Sequence, residues 1–105
     1  MINVVNVKTY RGEGEYIGRK NVYYGFEGSV LANPESLRSE ADRDANIARY
    51  AIWLNDKMKR NTPQRLEILR LRRIWKKTGR LTLICWCAPK ACHGEIIKRL
   101  IGGES

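Results

Sequence analysis

The run Leu81-Thr82-Leu83-Ile84-Cys85-Trp86 puts six uncharged, mostly apolar residues in succession, in a chain of which 30% is charged. Such a stretch reads as a buried strand, and buried strands without alternation belong in the middle of parallel sheets. The segment Ile2 to Val7, where apolar residues alternate with asparagine, supplies a strand to run beside it. Tyr16-Ile17 and Asn21 to Tyr24 read as further short strands, broken by Gly12, Gly14 and Gly18.

Helices account for most of what remains. From Gly25 to Arg38 the chain reads as loop, with a turn at Asn33-Pro34. Ser39 followed by Asp42 caps a helix that runs to about Lys59, with Ile47, Ala51, Leu54 and Met58 as its core stripe. Thr62-Pro63 is an N-cap followed by proline at the first helical position, and Gly79 is a stop, so Pro63 to Thr78 forms a second helix. A third spans Glu95 to Leu100. The order strand, strand, helix, helix, strand, helix predicts an α/β fold: a small Rossmann-like sheet covered by helices, in one compact domain of 105 residues.

No apolar run approaches the roughly 20 residues that span a bilayer, and no export leader is evident, so the expected setting is cytoplasm. There the three cysteines are expected to be reduced thiols.

The net charge of +9 is local. Between Lys57 and Arg80 there are ten basic residues and one acid, Glu67, while the rest of the chain balances. At 100° steps along the second helix, Ile68, Leu71, Ile74 and Trp75 form a packing face. Arg65, Arg70, Arg72, Arg73, Lys76 and Lys77 surround the other side. Such a face is either a solvated surface or a contact for nucleic-acid phosphates; Leu66 and Leu69 beside it suit a homodimer contact. No DNA- or RNA-reading motif accompanies it.

All three cysteines and the one histidine fall between Cys85 and His93, in the turn from the buried strand to the last helix. Cys85 reads as a small core residue. Cys92, His93 and Gly94 stand where unpaired N–H groups and the helix dipole favour an anion and lower a thiol pKa, and Lys90 adds charge. Zinc is disfavoured by spacing, because adjacent Cys92 and His93 reach one ion poorly at tetrahedral angles. Nucleophilic catalysis by Cys92 or Cys87 with His93 is a third reading, although side chains adjacent in sequence tend to diverge.

Five segments carry a resemblance. Val4-Val5-Asn6, Tyr16-Ile17-Gly18-Arg19, Asn33-Pro34, Tyr50 with Trp53-Leu54, and Cys85-Trp86-Cys87-Ala88-Pro89 followed by Cys92-His93-Gly94-Glu95 resemble the bacterial and phage family called domain of unknown function 4326. The family pattern has a Lys-Trp-Gly-Asn-Pro-Phe-like segment after its glycine-arginine. Here Lys20 is followed by Asn21-Val22-Tyr23-Tyr24, so the loop between Gly18 and Asn33 is remodelled. The resemblance implies a host-cytoplasm setting for a phage-encoded member, but no activity. The last quarter is similar, more distantly, to a family with a strand-end cysteine and Cys-His-Arg at a helix start, which implies a compact Rossmann-like fold.

On that topology Gly18, Arg19, Asn33 and the turn carrying Cys87, Lys90, Cys92, His93 and Gly94 converge at one sheet edge. The expected ligand is a phosphate-bearing small molecule of nucleotide type, with Tyr10, Tyr23, Tyr24 and Trp86 available for stacking and no further cofactor. Whether chemistry follows binding stays open at this stage.

Overall fold

The computed structural model describes residues 1–35, 37–86, 90 and 92–102. Three strands, β1 (Ile2–Asn6), β2 (Glu15–Tyr16) and β3 (Leu81–Cys85), form a sheet in the order β1-β3-β2. Both outer strands run parallel to β3, with Ile2 opposite Leu81 and Tyr16 opposite Ile84. Two bonds prolong the ladders past the strand ends: Val7 N donates to Cys85 O at 2.8 Å, and Ile17 N to Ile84 O at 3.0 Å. The apolar run therefore takes the central place expected of it.

Helices α1 (Arg43–Met58), α2 (Pro63–Thr78) and α3 (His93–Gly102) pack on one another, and α2 and α3 pack on the sheet. Leu81, Leu83 and Cys85 of β3, with Ile2 and Ile17, share one core with Tyr50 and Leu54 of α1, Ile68 and Leu71 of α2, and Ile96, Ile97 and Ile101 of α3. Each large aliphatic side chain buried there contributes about 1.5–3 kcal/mol of transfer free energy.

Helix α2 has the bounds its flanking residues predict. Thr62 Oγ1 accepts from Arg65 N at 3.2 Å, and Gly79 closes the helix at φ 74°, a left-handed conformation that costs glycine little. Leu66 is exposed as expected, but Leu69 is half-buried.

Other expectations need correction. Asn21 to Tyr24 is not a strand: Asn21 and Phe26 form an antiparallel bridge around a tight reversal, in which Asn21 Oδ1 accepts from Tyr24 N at 3.1 Å and Gly25 adopts φ 74°. Asparagine's ability to bond its own backbone ahead outweighs the β-propensity of Val22 and Tyr23. Neither Ser39 nor Asp42 caps with its side chain; a 3-10 turn, Glu40–Asp42, leads into α1 instead. The buried line of α1 is Asn46, Tyr50 and Leu54, with Ile47, Ala51 and Met58 at its margins. An apolar-only pattern misplaces the line because its first member is an amide. Helix α3 begins at His93 rather than Glu95, and β3 ends at Cys85 rather than Trp86. Among the described residues no helix is long and apolar enough to cross a membrane.

Tyr50, 1% exposed, donates its hydroxyl proton to Leu31 O at 2.6 Å and thereby ties α1 to the loop before Asn33. Replacing it in Tyr50→Phe leaves a buried carbonyl without this donor. The expected loss is about 1–3 kcal/mol of unfolding free energy, measured by urea denaturation.

Candidate functional site

Parallel strands deliver their C-terminal ends to one edge of the sheet, and a cavity of about 270 Å³ opens there. Gly18 and Arg19 line it from the segment after β2, Trp86 from the end of β3, and Cys92 and His93 from the start of α3. The opposite wall holds Asn33, Glu35 and Leu37 from the long loop, and Arg43, Asn46 and Ile47 from the first turns of α1. Gly18, Arg19, Asn33, Cys92 and His93 thus come together as the sequence suggests. Lys90 stands outside the lining, paired with Glu40 at 3.4 Å, and Cys87 lies outside the described residues.

Gly94 serves packing. A Cβ there would fall 2.8 Å from Val4 Cγ1 and 3.2 Å from Ile17 Cδ1, so the absent side chain lets α3 approach β1 and the end of β2.

Asn33 is the hub of the wall. Its carbonyl accepts from Arg19 Nε at 3.2 Å and Nη2 at 2.9 Å, its Oδ1 accepts from Glu35 N at 3.0 Å, and its Nδ2 donates to Asn46 Oδ1 at 2.7 Å. Asn46, 4% exposed, returns a bond from Nδ2 to Glu35 O at 3.3 Å. Asn33 therefore works as a brace that sets the Arg19 guanidinium, from its place in the cavity wall. Nearby carboxylates are paired: Glu35 binds Arg49, and Glu40 binds Arg43 through both oxygens at 2.9 and 2.7 Å. The Arg43 bond holds the Glu40 pKa down to about 2, and the Arg49 bond lowers that of Glu35.

The histidine has a defined tautomer. Its Nε2 lies 2.8 Å from Ile17 O, which only accepts, so Nε2 carries the proton and Nδ1 keeps its lone pair. The ring meets Tyr50 edge-on, centroids 5.1 Å apart. Burial, with the Arg19 charge as a lesser cause, pushes the His93 pKa below its ordinary 6.5, against the Ile17 bond that favours protonation. Because Nε2 is taken by Ile17, the adjacent Cys92 and His93 do not form the thiol–imidazole hydrogen bond of a nucleophile–base pair through that atom. Cys92 Sγ instead accepts from Gly94 N at 3.3 Å and touches Cys85 Sγ, also at 3.3 Å. Among the described residues no group of three or more metal-ligand side chains gathers.

Trp86 anchors a string of aromatics beside the cavity. Its Nε1 donates to Tyr16 Oη at 2.8 Å, Tyr16 stacks on Phe26 with centroids 4.2 Å apart, and Tyr24 meets the indole edge-on. Lys8 Nζ lies 6.0 Å from the Trp86 centroid.

The basic face of α2 is divided. Arg65, Arg73, Lys76 and Lys77 are exposed, but Arg70 is bonded to Glu67 and to Glu15, and Arg72 Nη2 donates to Leu100 O with its Nε buried. The stripe is narrower than its charge pattern suggests. Glu35, Leu37, Arg43, Asn46 and Ile47 are lining residues that sequence reasoning did not assign to the site; the 43-46-47 spacing, one helix face mixing polar and apolar residues, is the signal that marks the last three.

These features define the class: a small three-stranded parallel α/β domain with a cavity at its strand ends, its wall largely apolar with a few polar side chains. The chain belongs to the family described as domain of unknown function (DUF4326), whose model matches residues 4–103. No curated protein and no solved structure matches it.

The His93 shift makes stability pH-dependent. The unfolded chain binds more protons than the folded one between the depressed folded pKa and 6.5, so stability is full above pH 6.5 and falls as acid carries the protein down through that window. The slope reaches at most about 1.4 kcal/mol per pH unit. Denaturant titrations across this range check it: His93→Gln flattens this limb and leaves the later loss below 4.5, to which Glu35 and Glu40 contribute.

Proposed function

We propose that this protein binds a phosphate-bearing small molecule, a nucleotide or nucleotide derivative, in the cavity at the strand ends, in the manner of a Rossmann-like domain. The observation that carries the reading is the meeting of Arg19, Trp86 and His93 on one cavity bounded by the first residues of both α1 and α3. Two helix N-termini direct partial positive charge at that space, which favours an anion. Arg19, oriented by Asn33 O, supplies a forked donor suited to phosphate. Trp86 offers a face for a base, and His93 Nδ1 accepts from a hydroxyl. At about 270 Å³ the cavity lies just below the roughly 300–1,000 Å³ of drug-sized pockets, which suits one nucleotide with part of it projecting.

Calorimetric titration with nucleoside monophosphates and diphosphates tests this. Arg19→Ala and His93→Ala are each expected to weaken binding at least about tenfold with an unchanged circular dichroism spectrum, equivalent to about 1.4 kcal/mol. Unchanged affinity in both overturns the reading.

A second reading, nucleic-acid binding through α2, draws on the four exposed cations Arg65, Arg73, Lys76 and Lys77. It expects a mobility shift whose salt slope falls by roughly 0.7–0.9 for each of these neutralised. A shift that survives Arg73, Lys76 and Lys77 all changed to glutamine excludes this face.

A further inference from the structure

We propose that Cys85 and Cys92 form an oxidisable dithiol, closed to a disulfide by hydroperoxides that enter through the cavity. Both are thiols in this structure, both are buried, and their sulfurs lie 3.3 Å apart, although six residues separate them in the chain. The pair joins the end of β3 to the residue before α3. A disulfide bond of about 2.05 Å needs the sulfurs to approach by about 1.2 Å, within the reach of small side-chain rotations.

The two thiols are not equivalent, and the difference assigns their roles. Cys92 lines the cavity, whereas Cys85 is fully buried behind it. Cys92 Sγ also accepts from Gly94 N in the first turn of α3, and Cys85 Sγ lies within bonding distance. The Gly94 bond favours the thiolate at Cys92, the form that attacks peroxide, while the sulfur–sulfur contact is shared by both. Cys92 is the attacking sulfur and Cys85 the resolving one.

The steps balance. The Cys92 thiolate attacks one peroxide oxygen; a sulfur–oxygen bond forms, the oxygen–oxygen bond breaks, and the leaving hydroxide takes up the proton Cys92 gave, as water. Cys85 sulfur then attacks Cys92 sulfur; the disulfide forms, the sulfur–oxygen bond breaks, and the Cys85 proton leaves with the second water. Two thiols and one hydroperoxide give one disulfide and two waters, or water and an alcohol when the peroxide is organic. No part of this depends on what the cavity binds.

The test uses reduced full-length protein and hydrogen peroxide. Intact mass should fall by two hydrogens, and the thiols titratable after unfolding should drop from three to one. Trypsin cuts after Lys90, so Cys85 and Cys92 fall on separate peptides, and fragmentation of the linked pair distinguishes Cys85 from Cys87. Cys85→Ser should instead hold a sulfenic acid at Cys92 that dimedone traps. A link from Cys92 to Cys87, oxidation to sulfinic acid without a disulfide, or three thiols remaining overturns the proposal; the mapping on unsubstituted protein decides it whether or not the variant folds.

Discussion

The parallel direction of both outer strands relative to β3 is the constraint on which the rest of the structure depends. Antiparallel neighbours would send the segments after β2 and β3 to opposite edges. Parallel pairing brings Gly18-Arg19 and Trp86 out at the same edge, where the turn into α3 already stands. The pairing follows from β3 itself, whose buried residues leave little polar surface to offer water. Gly94 completes it by letting α3 settle against Val4 and Ile17.

Around that frame, polar groups do their work by bonding one another. Asn33, Asn46 and Glu35 form a knot that satisfies buried amides and carries Arg19 at its edge. Satisfied buried networks are rigid, since each broken bond leaves a desolvated group. Tyr50 links this knot to the core through Leu31 and touches His93, so one helix braces both walls of the cavity.

Much of this was legible in the sequence. The apolar run marks β3, and the Thr62-Pro63 and Gly79 signals mark α2, because local rules govern both. Convergence of Arg19, Asn33 and His93 was legible through the strand-to-helix pattern. What escaped depends on distant partners. Asn46 lies inward because Asn33, thirteen residues earlier, bonds it, and no hydrophobic periodicity encodes that. Arg70 and Arg72 read as open cations until Glu15 and Leu100, far off in the chain, come beside them. The meeting of the two buried sulfurs likewise is a contact between strand end and helix start.

The pairing of charges near the cavity has a kinetic consequence. On the proposed reading, an anionic ligand at a distance would feel the field of the whole chain, +9 and concentrated toward α2, while at the cavity it would meet Arg43 already matched to Glu40 and Arg19 braced by Asn33. Encounter and residence are then governed by different residues. Salt screens the long-range field within about 10 Å at 0.1 M, so it slows arrival while leaving the close-range bonds that set departure nearly untouched.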